Sequence, residues 1–354
     1  MTDLALELGI SISTVSRALS GHPGVGHATK ARVLNLAQHY HYQPNQMASA
    51  LRKGQSKLLG IVMPHIGGRF FPSVMQGIEM AARKAGYSAI ICQSNEDAQQ
   101  EQRHLDILVG AQVAGVLVSL TRGTRDYQHL NLLRSRGLPM VFFDRVIEGV
   151  GVNAVVLDDR AAGYISTRHL LSQGCRRIGH LAGPQHMNIY KNRLMGHLDA
   201  LREANIVPDE SLIITIDMMP GQASTATRQL LGCASRPDGL FAASDTAALE
   251  AMREVTRQGL QVPADVAISG FSNDTFTAVT VPALTTIDQC PEEMGRAAVR
   301  LLIDVIAAGK NSYVPRKVVL LPKLLVRGSS LRQVKVMPEV WKRPTALRLQ
   351  STPS

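Results

Sequence analysis

From residue 58 onward the chain repeats one pattern, a short apolar run followed by an amphipathic stretch of helical period, and no other feature restricts the fold as much. Apolar runs at 59–63, 89–93, 115–120, 140–144 and 154–157 read as buried strands, and 74–85, 99–110 and 130–135 between them read as helices. The rhythm continues with a helix at 160–173 that Gly174 stops and strands at 177–182, 213–217, 239–243 and 266–270. A last helix at 292–308 and a closing strand at 317–326 complete it. Strands alternating with helices build parallel sheets. So many units in about 270 residues predict two doubly wound α/β lobes, with a ligand cleft where the strand ends of the lobes face each other.

At 354 residues the chain exceeds what one core organises, so more than one domain is expected. Runs such as 58–63 and 115–120 fall far short of the ~20 apolar residues that a membrane span needs. Asp3 and Glu7 among the first leucines are unlike a secretory signal, so no membrane contact and a cytoplasmic location are expected. Cys92, Cys175, Cys233 and Cys290 are widely spaced and read as reduced packing residues, with no metal site and no cofactor expected.

The net charge of +10 is concentrated at the two ends. Arg17, Lys30, Arg32, Arg52, Lys53 and Lys57 face only Asp3 and Glu7 within residues 1–57. Within residues 327–354, Arg327, Arg332, Lys335, Lys342, Arg343 and Arg348 face only Glu339. The middle is nearly neutral, so a basic N-terminus points to a polyanion partner such as DNA. After Leu331 the sequence holds three prolines and no periodicity, and reads as a disordered tail over 332–354.

Within the basic N-terminus, Leu4, Ala5 and Leu8 share one helical face that Gly9 can end, and Ser11 can cap a second helix that buries Val15, Ala18 and Leu19. Ile12, Ser13, Ser16 and Arg17 then point outward. Arg17 suits a bidentate contact with guanine, Ile12 a thymine methyl, and the serines a base edge or phosphate. Alone, this pattern fits an ordinary helical hairpin as well as a helix-turn-helix. A third helix at 29–40, with Val33, Leu36, Ala37 and Tyr40 on one face, would close a three-helix headpiece.

The string I-S-I-S-T-V-S-R-A-L-S-G at 10–21, followed by Y-x-P-N-x-x-A-x-x-L at 42–51, resembles the lactose-repressor (LacI/GalR) family, and the resemblance extends to about Leu331. It implies a helix-turn-helix headpiece over 1–44, a hinge over 45–57, and a two-lobed periplasmic-binding-protein-like (type I) core over 58–331. Thr14 joins the DNA-reading helix by this resemblance. Asn45 to Arg52 matches a hinge helix that folds on DNA and pairs with its dimer mate, with Asn45, Ala48 and Leu51 facing DNA and Leu51 wedged into the minor groove. A homodimer on a pseudo-palindromic double-stranded operator follows. The family has residues and a Ser or Thr cap before its first helix, whereas Met1 stands at that helix's first position, so either the true start lies upstream of Met1 or the first helix lacks its cap.

The same resemblance places a small-molecule effector between the lobes. F-F-P-S-V-M-Q-G-I-E at 70–79 puts Phe70 and Phe71 on the cleft wall, R-L-M-G-H-L-D-A-L at 193–201 makes Arg193 a ligand contact, and A-A-S-D-T-A-A-L-E-A-M at 242–252 makes Ser244 and Asp245 face or support the pocket. Gln289 joins this set. In G-F-S-N at 270–273, Ser272 stands where many sugar- or purine-sensing members carry Asp. Removing that charge while keeping Arg193, with Arg69, Arg145 and Lys191 as further cations, points to an anionic sugar acid such as gluconate. An effector between the lobes can lower or raise DNA affinity, and induction is the sense expected here.

Catalysis finds no support. Gly149, Gly151 and Ala154 fit G-x-G-x-x-A but precede a strand, and neither a G-x-S-x-G elbow, a phosphate-binding P-loop nor an H-E-x-x-H pair occurs. The alternative is a stand-alone solute receptor with the same two-lobed core and no DNA binding.

Overall fold

The computed structural model describes residues 1–40, 42, 56–149, 151–309 and 314–332. Three helices form the N-terminal unit: α1 (Thr2–Leu8), α2 (Ile12–Leu19) and α3 (His27–His39). Gly9 ends α1 in the left-handed region at φ 64, which a side chain would resist. Met1 stands at the N-cap of α1 and its side chain makes no capping hydrogen bond. Ser11 caps α2, its hydroxyl accepting from the Thr14 amide at 3.1 Å. Leu4, Ala5, Val15, Ala18, Val33 and Ala37 bury one another at the centre of the three helices. Tyr40, expected on that buried face, is exposed instead, because α3 ends one residue before it.

The first α/β lobe contains β1 (Leu58–Met63), α4 (Phe70–Lys84), β2 (Ser88–Gln93), α5 (Ala98–Gly110), β3 (Gly115–Val118), α6 (Gln128–Ser135), β4 (Met140–Phe143) and β5 (Ala154–Leu157). The second contains α7 (Asp159–Ser172), β6 (Ile178–Ala182), α8 (Asn188–Glu203), β7 (Ile213–Thr215), α9 (Gln222–Leu231), β8 (Gly239–Ala242), α10 (Asp245–Arg257) and β9 (Ala267–Ser269). The chain then runs through β10 (Thr286–Asp288), returns to the first lobe as α11 (Pro291–Ala308) and β11 (Lys317–Leu320), and crosses back as β12 (Lys323–Leu325). The first sheet has strand order β11-β5-β4-β3-β1-β2 and the second β7-β6-β8-β9, and every pairing in both is parallel. β3, β4, β5, β6 and β8 are buried along their whole length, as strands covered by helices on both faces must be.

The expected closing strand at 317–326 is two strands. Pro322 breaks the run, so β11 ends the first sheet beside β5 and β12 pairs antiparallel with β10 in a separate ribbon. The chain thus passes between the lobes three times, after β5, after β10 and after β11.

Paired glycines set how closely the helices pack. Gly163 of α7 lies against the Arg193 carbonyl of α8, and Gly196 of α8 against the Arg160 carbonyl of α7, where a methyl group on either would overlap backbone. Gly77 and Gly295 play the same part where α4 meets α11. Among the described residues no helix is long and apolar enough to cross a membrane. The four cysteines are free thiols, Cys175 fully buried.

Candidate functional site

The outer face of α2 carries Ile12, Ser13 and Arg17 exposed, with Thr14 and Ser16 half-buried beside them. The hydroxyl of Ser11 lies 2.8 Å from those of Ser13 and Thr14, so one cap organises the hydroxyl groups of the first turn. Arg17 folds back along the helix, its Nε donating to the Ser13 carbonyl at 3.3 Å, a contact that a base or phosphate can replace. The hinge residues Asn45, Ala48 and Leu51 lie outside the described residues, as does the tail from residue 333.

Between the α/β lobes is a cleft of about 380 Å³ at the carboxyl ends of the parallel strands. Phe70, Phe71, Arg193, Ser244, Ser272 and Gln289 all line it, brought together from segments more than 200 residues apart in sequence. Phe71 is buried and meets His65, Phe70 and Phe143 edge to face, with centroids at 4.9, 5.1 and 6.5 Å, while Phe70 stays half-exposed.

Arg193 is held on every side. Its Nε donates to Asp159 Oδ1 at 2.8 Å, Nη1 to the Ala243 carbonyl at 2.9 Å, and Nη2 to Gln289 Oε1 at 3.4 Å. Its guanidinium also lies 3.5 Å from the centroid of the Phe271 ring. Gln289 passes the contact on, its amide nitrogen donating to the Ser272 hydroxyl at 3.0 Å. Burial pushes the Asp159 carboxyl up to about 7, with Arg193 pulling the other way.

Asp245 is fully buried behind the wall and does not itself line the cleft. It accepts from the Asp274 amide at 2.8 Å and the Thr286 hydroxyl at 2.6 Å, and so fixes the loop that carries Ser272. Burial raises its carboxyl to about 7, against those hydrogen bonds. Ser272 at φ 124, Asn273 at φ 52 and Asp144 at φ 59 adopt backbone conformations that side chains rarely take, all at the cleft or next to it. Lys191 points elsewhere and pairs with Glu148 at 3.1 Å on the surface.

Several lining residues escaped the sequence reading. Glu96 takes both carboxylate oxygens to Arg145 Nη1 at 2.9 Å and accepts from the Arg122 amide at 2.7 Å. Burial works to raise the Glu96 carboxyl, but Arg145 and the Arg122 amide hold it below the ordinary carboxylate range. Asp144, buried and raised by that burial, stands 3.8 Å from Arg145 Nε. His65 is lowered by burial and by the Arg145 charge. Each sits directly after a strand of the first sheet or in the loop that follows it, and that position was the signal available to find them.

Two stretches of the chain match known families: residues 1–45 match bacterial regulatory proteins of the lacI family, and residues 167–330 a periplasmic binding protein-like domain. The HTH-type transcriptional repressor CytR of Escherichia coli (strain K12) is 35% identical over 305 residues, 86% of this chain and 89% of that protein. A solved complex of the transcriptional regulator CelR with cellobiose is 30% identical and superimposes with a TM-score of 0.71 over 92% of this chain and 98% of that one. The lac repressor dimer bound to operator and the anti-inducer ONPF, 24% identical, shares the fold with a TM-score of 0.83 over 93% of this chain and 98% of that one. The three-helix N-terminal unit, the two-lobed parallel core and these relatives together place the chain in the LacI family of DNA-binding transcriptional repressors, regulators with an effector-binding domain and not enzymes.

Proposed function

We propose that this repressor releases its operator when a neutral, polyhydroxylated molecule of sugar size occupies the cleft between the lobes. The observation that carries the reading is the pairing of the arginines on the cleft wall. Arg69, Arg122, Arg145 and Arg193 share the cleft with Glu96, Asp144 and Asp274, with Asp159 behind the wall, and each guanidinium already donates to an acceptor of the chain. An anionic effector would compete with these acceptors for the guanidinium groups, whereas hydroxyl groups can bridge carboxylate and guanidinium without displacing either. The half-exposed Phe70 ring supplies an apolar face for a sugar ring. The cellobiose held by CelR is a ligand of this class.

The sugar acid expected from Ser272 and the arginines is the second reading, and it is favoured by the absence of a carboxylate at position 272. Under either reading Phe70, Phe71, Arg193, Ser244, Ser272 and Gln289 contact the effector and Asp245 supports them. Ile12, Ser13, Thr14, Ser16 and Arg17 read the operator, joined by Asn45, Ala48 and Leu51 of the hinge. We divide the chain into a headpiece over 1–44, a hinge over 45–57, a core over 58–331 and a tail over 332–354. It works as a cytoplasmic homodimer, since two recognition helices must reach two half-sites of a pseudo-palindrome.

Fluorescence anisotropy of the full chain on DNA from its own promoter, titrated with cellobiose, D-ribose and D-gluconate, tests effector and sign together. Release by a neutral sugar supports the proposal, and release by gluconate alone replaces it with the sugar acid. Tightening in place of release would reverse the sign of control, and no binding to any promoter palindrome would favour a stand-alone receptor.

A further inference from the structure

At the mouth of the cleft one residue of the first lobe holds the second by both its side chain and its backbone. Arg122, in the loop after β3, donates through Nη1 to the Asp217 carbonyl and through Nη2 to the Met219 sulfur at 3.6 Å, both in the loop after β7. Its own carbonyl lies 3.0 Å from His186 Nε2, ahead of α8. A long side chain on a loop would ordinarily lose this grip to conformational entropy. Here two carboxylates, Glu101 buried and Glu96 half-buried, fix the loop from behind. Glu101 accepts from the Thr121 amide and the Thr124 hydroxyl, each at 2.9 Å, and Glu96 accepts from the Arg122 amide at 2.7 Å.

Glu96 is shared. The carboxylate that fixes the Arg122 backbone also holds Arg145 on the cleft wall, with both oxygens 2.9 Å from Nη1. A group that draws Arg145 away from Glu96 shifts the shared carboxylate and with it the geometry of the hydrogen bond from the Arg122 amide. A molecule seated against Arg145 would thus reach the Arg122 loop through Glu96, besides any direct contact with Arg122, which also lines the cleft.

We propose that Arg122 is a latch joining the two lobes across the cleft mouth, and that Glu96 is the positioning residue through which occupancy of the cleft at Arg145 sets the grip of that latch. The proposal rests on the reading that the effector sits in this cleft and adds the route by which it would alter the lobe arrangement. A coupling of this kind requires an element that both sites bias, and the Arg122 loop is that element.

Hydrogen–deuterium exchange on the full-length, ligand-free chain tests it, because neither DNA nor effector enters the readout and its failure is distinct from failure of the effector reading. In Arg122→Ala, peptides covering residues 183–190 and 214–220 of the second lobe should exchange about ten-fold faster, the change expected for losing a hydrogen bond to a charged donor. Arg122→Lys should recover part of the protection. Glu96→Gln should speed the same second-lobe peptides although Glu96 touches none of them, while α10 stays at the wild-type rate and reports an intact fold. Wild-type rates at 183–190 and 214–220 in Arg122→Ala would overturn the latch, and wild-type rates there in Glu96→Gln would overturn the coupling.

Discussion

Two histidines show how much the second lobe depends on neutral side chains. His180 and His197 are fully buried and stacked with centroids 5.1 Å apart, and His180 stacks in turn on Phe241 at 4.6 Å. Each has one satisfied ring nitrogen, His180 Nδ1 on the Phe241 carbonyl at 2.8 Å and His197 Nδ1 on the Thr167 hydroxyl at 2.9 Å, and each leaves Nε2 without a protein partner. Burial lowers both, His180 to about 4. A histidine lowered on folding stabilises fully above its unfolded value of about 6.5, and that stability drains away as pH falls from there towards the folded value. His180 alone accounts for about 2 kcal/mol lost between pH 7 and pH 5. Asp159 and Asp245, raised to about 7, work in the opposite direction across much of the same range. The measurement is therefore a difference: in urea melts at pH 7 and pH 5, His180→Gln should lose about 2 kcal/mol less than the wild type. Equal losses in the two proteins would mean that His180 is not held neutral. At this scale the sequence was readable where motifs name residues, as for Arg193 and Ser272. It was silent on Glu96, Arg122 and Asp144, because a single charged residue after a strand looks like any other surface charge until the facing lobe is in place.

Among the elements, α7 and α8 depend on two residues that have no side chain. Their backbones approach so closely at Gly163 and Gly196 that the carbonyls of Arg193 and Arg160 fill the space where a methyl would stand. Gly196→Ala forces the helices apart and should cost about 1–3 kcal/mol, the range for overpacking a close contact. Arg193 lies one helical turn before Gly196, so the same substitution should weaken effector binding through a shift of the guanidinium, measurable by calorimetry with whichever sugar releases the operator. Unchanged stability would show that the crossing can relax. Apart from the run at 317–326, the strands that the periodicity predicted are present, with ends shifted by a few residues. What it missed was short or interrupted: β10 is three residues long with polar residues at both ends, and Pro322 divides a run whose halves belong to different sheets. Hydrophobic pattern reports burial and not which core receives it.

For the whole molecule, the cleft belongs to neither lobe alone, so a ligand there stabilises the α/β core as one unit. At a free concentration of about 100 times its Kd the effector should add about 2.7 kcal/mol to the unfolding free energy of that core. The increment should be the same with residues 1–57 present or removed, as read from denaturant midpoints. A smaller increment without the headpiece would mean that the N-terminal unit takes part in holding the ligand.

The three passages of the chain between the lobes also fix an order of synthesis. The three-helix unit is complete once residue 39 has left the ribosome, and the strands of the second sheet once Ser269 has. The first sheet receives its edge strand β11, and α4 receives its partner helix α11, only near the end of translation. The nascent protein therefore carries a complete three-helix N-terminal unit well before the lobe that carries Arg145 and Glu96 is closed, and the unit at the front of the chain is made ahead of the cleft.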